Sequence, residues 1–481
     1  MYINNYYLIF FKYLSLIIFF SGFFSCLFFE KFDYIPFYSS FFLLFILFNS
    51  YKKEKNKFDL LQPITAILIS FFIGTLLRSY FYVSDEVTAV KKIMLQLGDH
   101  DNMFVGLIYI FIAFLFFNFG YHSIKKTNLK FGFFNKIENR LIVGNKLILI
   151  SLFIIICSCI FFYIYILKMG IAYDDISTLK NLSKKRALKL GDGQFASLSY
   201  LNFGVNILQP LYYIIIYFLL TKKKSFFSLH GCLLLITFSI LLSFNIINSH
   251  RGTPIVMLLT TVFIIKYYTK KIPRFLFLFC IFFSTLLLIS MTYLRNNNEL
   301  IKKIDEVNKN PLTIVVGSLN FLGVTKTSYI INHAKKNNEY LLGKSLFLWT
   351  VAPIPREYWK NKPEISIGKD IAKNIYKKRD DNIAGGGVPP GFIAELYLNF
   401  GLVGICTGMF IFGLMCSYSY HLIFQKKSLF RFIVYLTIFF PSIFYLIGGD
   451  LSRIIIKFIF LLIIFSMLLV LMSKKKQILI K

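Results

Sequence analysis

A dozen apolar runs leave this chain few folds to choose from. They lie near residues 6–29, 35–50, 60–82, 103–121, 147–168, 199–221, 227–247, 254–269, 275–294, 390–421, 428–447 and 454–472. A helix of about 20 such residues crosses the ~30 Å hydrocarbon layer of a bilayer. The predicted class is therefore an all-α polytopic integral membrane protein with about 12 transmembrane helices. Hydrophobic residues make up 57% of the 481, and the mean hydropathy of +0.65 lies far from the balance of a soluble domain. The first run has only Lys12 as a basic flank and no small-residue cleavage site, so it reads as an uncleaved span. All seven cysteines sit in apolar runs without metal-ligand spacing, as small lipid-buried side chains.

Lysine and arginine set the orientation, because cytoplasmic connections retain them. The even-numbered connections and the tail from Ser473 carry 24 basic residues against three acids, Glu54, Asp59 and Glu138. The short odd-numbered connections are mixed or acidic, with Glu30, Lys31 and Asp33 in the first and Asp85, Glu86, Lys91, Lys92, Asp99 and Asp101 in the second. Both termini are predicted to be cytoplasmic. The formal net charge of +31 is then a topology signal and a grip on anionic membrane lipid, which removes nucleic acid as a partner. Without a glycine-rich nucleotide loop, an internal repeat or a soluble domain, residues 1–481 read as one membrane domain. A large outer loop, 295–389, is inserted between helices 9 and 10.

This orientation gathers the candidate functional residues on the outer face. The third outer connection mixes Asp174, Asp175 and Asp192 with a basic group that includes Arg186. His250 and Arg251 occupy a tight turn between two membrane helices, where a guanidinium must reach water, lipid phosphate or a substrate. Arg295 stands at the outer end of the ninth helix.

The long loop then holds helix-like stretches at Leu312–Leu322 and Leu341–Val351, followed by PIPREYWKNKP from Pro353 to Pro363. In that segment Arg356 and Lys362 flank Tyr358 and Trp359, a pattern that anchors at an interface and also suits phosphate or a sugar ring. Beyond it, AGGGVPPGFIAELYLNFGLVGI runs from Ala384 to Ile405. Its prolines predict a helix starting near Pro390 and continuing to about Tyr420, with Glu395 and Asn399 on one face. Mobile glycines, free helix N–H groups and an acid at the membrane edge make either an anion-handling corner or an ordinary junction with a snorkelling glutamate. Asp450 and Arg453, in the last outer turn, read as an ion pair.

SHRGTP, PIPREYWKNKP and GGGVPPGFIAELYLNFGLVG together resemble the Wzy-type polymerases of oligosaccharide repeat units, which assemble bacterial O-antigens and capsules. The most specific piece is P-P-G-x-x-x-E-x-Y-x-x-F-G with P-R-x-x-W-x-x-K-P before it. The resemblance implies a glycosyltransferase of the bacterial inner membrane with a periplasmic active site. It also implies an undecaprenyl-pyrophosphate-linked oligosaccharide as substrate and a chain-length regulator protein as partner. Family members use arginines in two large outer loops; here the earlier one is Arg251 in a short turn or Arg186 in the third loop.

The chemistry implied is departure of a lipid pyrophosphate from a sugar. Preorganised cations stabilise that charge more in the transition state than in the ground state. Arg251, Arg295, Arg356 and Lys362 are the expected cations, with Arg186 and Arg453 further substrate contacts and Tyr358 and Trp359 beside them. No acid cluster has the spacing to demand a metal, and no cofactor is expected. Glu395 is the first candidate for the base that activates the attacking hydroxyl, with His250 second, and Glu395 is equally a structural acceptor. The alternatives are an O-antigen ligase, which shares the donor, and a lipid-linked oligosaccharide flippase or other transporter. Transporters need polar or broken helices at mid-membrane, whereas these helix centres are apolar.

Overall fold

A computed structural model describes residues 2–51, 57–83, 103–124, 140–169, 195–248, 252–269, five positions between 278 and 286, 321–354, 358–359, 361–375, 387–424 and 428–475. The architecture is all-α and polytopic. Among the described residues ten helices are long and apolar enough to cross a membrane. The run at 254–269 forms the shorter apolar helix Thr253–Thr269, and the run at 275–294 falls mostly outside the described residues. Two short antiparallel strand pairs accompany the helices, Tyr2–Asn4 with Lys57–Asp59 and Arg140–Ile142 with Ser473–Lys475.

The chain divides into two compact units. One comprises Met1–Asn128, Lys302–His421 and Phe440–Ile456; the other comprises Leu129–Ile301, Leu422–Phe439 and Lys457–Lys481. In the second unit, hydroxyl pairs join helix Leu208–Thr221 to helix Gly252–Thr269: Tyr213 with Thr260 at 2.9 Å and Tyr212 with Thr261 at 3.0 Å. Tyr165 donates to the side chain of Asn248, at the end of helix Leu229–Ile247. His250 and Arg251 themselves lie outside the described residues.

In the first unit, helix Met103–Ser123 lies against the helix that follows Gly401, with almost no space between backbones. A methyl group built on Gly120 would stand 2.0 Å from the Phe410 carbonyl oxygen, and one on Gly413 would stand 2.2 Å from that of Phe117. Small residues permit this close approach, which apolar helices in lipid use because van der Waals packing holds them together.

The predicted single helix from Pro390 to Tyr420 is not what forms. The helical run Phe392–Phe424 breaks at Phe400 (φ −140°, ψ 21°) and Gly401 (φ 61°, ψ −145°). Beyond the break the chain returns alongside itself. A methyl on Gly404 would lie 2.3 Å from the Leu396 carbonyl oxygen, one on Gly408 would lie 2.4 Å from the Leu396 side chain, and the Phe392 and Phe412 rings are 5.2 Å apart. In an unbroken helix residues 392 and 412 would be about 30 Å apart. Residues 392–399 are therefore a half-helix that folds back against the membrane helix 402–424. Its start, beside Phe412, sits about 15 Å along that helix from the turn. Gly401 makes the reversal possible, since its backbone angles are essentially closed to residues with a Cβ. Every residue of the half-helix is buried.

The long loop contributes a second recessed element. Residues 321–323 are clasped by the helix that starts at Pro63: Ser70 Oγ accepts from Leu322 N at 3.1 Å, and Thr75 Oγ1 donates to Leu322 O at 2.8 Å. Thr75 lies in a π-helical stretch, Phe72–Leu77, which leads directly into Arg78. Helix Val324–Asn337 then runs against Met103–Ser123, with Thr325, Lys326, Thr327 and Ser328 all buried. No helix was predicted from the sequence at this position. The predicted stretch at Leu341–Val351 is helical from Lys344 onward; of the other, Leu312–Leu322, residues 312–320 lie outside the described residues and 321–322 are not helical.

Candidate functional site

The half-helix places its two polar side chains in a closed hydrogen-bond network. Ser345, at the start of the loop's short helical turn, donates from Oγ to Glu395 Oε1 at 2.9 Å and accepts from Asn399 Nδ2 at 2.7 Å. The other Glu395 oxygen, Oε2, accepts from the backbone N–H of Leu451 at 2.9 Å, at the start of helix Leu451–Leu471. Ser452 Oγ returns to the Ser345 carbonyl at 2.9 Å. Glu395, Asn399, Ser345 and Ser452 are each 1% exposed or less. Each oxygen of this buried carboxyl group has a donor, and the helix start it faces carries partial positive charge.

The turn between Phe440–Gly448 and Leu451–Leu471 docks on the foot of the half-helix. Gly391 N donates to Gly449 O at 2.9 Å, and Lys326 Nζ donates to Gly448 O at 3.1 Å. Gly391 takes φ +80°, the left-handed angle glycine adopts without strain, and this lets the chain turn from Pro390 into the half-helix. Asp450 closes the turn, 4% exposed, with both carboxylate oxygens lacking a hydrogen-bond partner. The predicted Asp450–Arg453 ion pair is not formed. Arg453 sits on the exposed face of its helix while Asp450 points inward.

Two buried cations stand nearby, and the sequence reading missed both. Lys326 is 0% exposed and Arg78 is 1% exposed, and they meet at Gly323, where a methyl would lie 2.7 Å from Arg78 Nη1 and 3.7 Å from Lys326 Cβ. Burial, and then the Arg78 charge, push the Lys326 ammonium down to about 7. Arg78 carried a signal, because an ionisable side chain inside the apolar run 60–82 is costly unless it serves a site. Lys326 gave none, lying in an unremarkable polar stretch of the long loop.

The segment 353–363 connects to this network through the chain, since Ser345 is followed by helix Leu348–Val351. Lys362, expected to bind substrate, is 7% exposed, and its Nζ donates to Ala352 O at 2.9 Å and to Ile354 O at 2.6 Å. It pins the turn that leads into the motif. Tyr358 is 85% exposed and Trp359 38%. Arg356, like Arg186, His250, Arg251 and Arg295, lies outside the described residues. Among the described residues no three His, Cys, Asp or Glu side chains converge as metal ligands would.

Fold and site together define a polytopic α-helical membrane protein with a buried charged network where a re-entrant half-helix meets an adjoining helix turn. A family model described as O-antigen polysaccharide polymerase Wzy matches residues 7–477, nearly the whole chain, and the protein belongs to that family. Its function is accordingly polymerisation of lipid-linked oligosaccharide repeat units into a surface polysaccharide. Neither the curated proteins nor the solved structures include a match to the chain.

Proposed function

We propose that the protein polymerises repeat units by glycosyl transfer, on the periplasmic side of the bacterial inner membrane, from an undecaprenyl-pyrophosphate-linked donor. The observation that carries this reading is the half-helix network. It ties the motif segment 389–401, through Glu395 and Asn399, to Ser345 of the long loop, upstream of the second motif segment, 353–363. In the topology predicted from the basic connections, Arg78, the half-helix and the Gly449–Asp450 turn all belong to the outer ends of their helices. The loop 295–389 is then periplasmic and supplies Arg356, and the same topology assigns Arg295, Arg251, His250 and Arg186 to outer connections as further candidates, cations being suited to the departing pyrophosphate. Lys362 holds the motif turn, so in this reading Arg356 carries the phosphate contact and Tyr358 and Trp359 offer surfaces to a sugar. A chain-length regulator protein would be a partner in this process.

Deletion of the gene followed by gel analysis of the surface polysaccharide tests this. The expected result is lipid A core bearing a single repeat unit, with the ladder restored by a plasmid copy. Core without any repeat unit, with long chains accumulating on the lipid carrier, would indicate a ligase instead.

A further inference from the structure

Asp450 occupies the position just before helix Leu451–Leu471, where an aspartate ordinarily accepts from the first free N–H groups of the helix. Here Glu395 takes that role, receiving the Leu451 N–H on Oε2. Asp450 is thereby released from capping. Both of its oxygens are buried without a hydrogen-bond partner, and the side chain is 4% exposed. The Asn399 Oδ1 atom, linked to the same turn through Ser345 and Glu395, is also buried and unpartnered. A folded protein seldom leaves one such acceptor, because burying it without a donor is costly. Three acceptor atoms around one network call for a ligand that donates hydrogen bonds, and a sugar presents hydroxyl groups.

We propose that Asp450 is the general base of polymerisation and that Glu395, engaged through both oxygens, is a positioning residue that frees it. The proposal rests on the polymerase reading above. In the step, the acceptor hydroxyl oxygen forms the new bond to the anomeric carbon of the donor. The bond from that carbon to the pyrophosphate oxygen breaks, and its electron pair leaves with the lipid pyrophosphate. The hydroxyl proton passes to the Asp450 carboxylate and from there to water. Asn399 Oδ1 accepts from a second hydroxyl of the same sugar and orients it. Lys326, held on the Gly448 carbonyl, and Glu395, which accepts from the Leu451 N–H, are the ionisable groups packed at this turn beside Asp450.

The test uses purified full-length protein reconstituted in liposomes with lipid-linked single repeat units, and follows the initial rate of chain extension against pH. Asp450→Asn should extend chains about a hundredfold or more slowly than wild type, the contribution typical of a general base, with an unchanged melting temperature. The wild-type rate should fall toward low pH as the base becomes protonated. That acid limb should vanish from the residual Asp450→Asn activity and persist in Glu395→Gln, and Asp450→Glu should recover part of the rate with a displaced limb. A merely structural aspartate would change the melting temperature and leave the limb in place. Extension by Asp450→Asn within about threefold of wild type, or an acid limb retained in that variant, overturns the proposal while leaving the polymerase reading intact. If Asp450→Asn does not fold, an acid limb in Asp450→Glu identical to wild type overturns it equally. Failure of the wild-type protein to extend any chain removes the polymerase reading and this proposal together.

Discussion

Replacing Glu395 by alanine is expected to abolish the polysaccharide ladder and to lower sharply the amount of folded protein in the membrane. The side chain is fully buried, accepts from Ser345 Oγ and Leu451 N, and joins the half-helix to both the long loop and helix Leu451–Leu471. Alanine would leave two buried donors unsatisfied, at about 1–3 kcal/mol each, and would release the Gly449–Asp450 turn as well. Glutamine keeps one acceptor and places an amide against the other donor, so Glu395→Gln should show an intermediate loss of protein. Immunoblots of isolated membranes beside polysaccharide gels separate the two effects. A full ladder from Glu395→Ala at normal protein levels would show that the network is dispensable.

The second large effect is expected at Gly401. At φ 61° and ψ −145° a side chain is strained by about 1–3 kcal/mol, although a methyl there would meet the Tyr340 ring only at ordinary contact distance, 3.6 Å. Gly401→Leu should therefore favour continuing the helix over reversing it, and the half-helix would lose its seat against residues 404–412. The membrane helix after the turn keeps its apolar length, so insertion should survive while long chains disappear. Crosslinking reads the geometry directly. With Phe392→Cys and Phe412→Cys in one chain, the reversal brings the two positions together, as their ring separation of 5.2 Å indicates. A short bifunctional thiol reagent should join them efficiently in the parent background and poorly once Gly401→Leu is added. Efficient crosslinking in both would show that Gly401 does not set the turn.

The sequence disclosed the fold class because membrane helices are specified by long apolar runs, which survive any arrangement of neighbours. It concealed the reversal at Phe400–Gly401 for the same reason. NFGLVG is as apolar as the helix on either side, and the half-helix is buried in protein where a lipid-facing segment would be equally apolar. Glu395 and Asn399 were legible as a pair, since a four-residue spacing puts them on one helical face. Their partner Ser345 was not, because it comes from a loop fifty residues earlier and only tertiary packing brings it close. The reading of Asp450 with Arg453 followed local spacing, and the structure separates them because one side chain turns inward and the other toward the helix surface. Lys362 had the right charge for a phosphate ligand, yet the carbonyls at the end of a short helix take it up.

Chain extension by the purified, full-length protein is the most direct test of the account. Liposomes containing the protein and only undecaprenyl-pyrophosphate-linked single repeat units should yield a ladder of longer lipid-linked oligosaccharides, with free undecaprenyl pyrophosphate released once per added unit. The account would be contradicted if no product exceeded one repeat unit in that mixture, and transfer began only when lipid A core was supplied as acceptor.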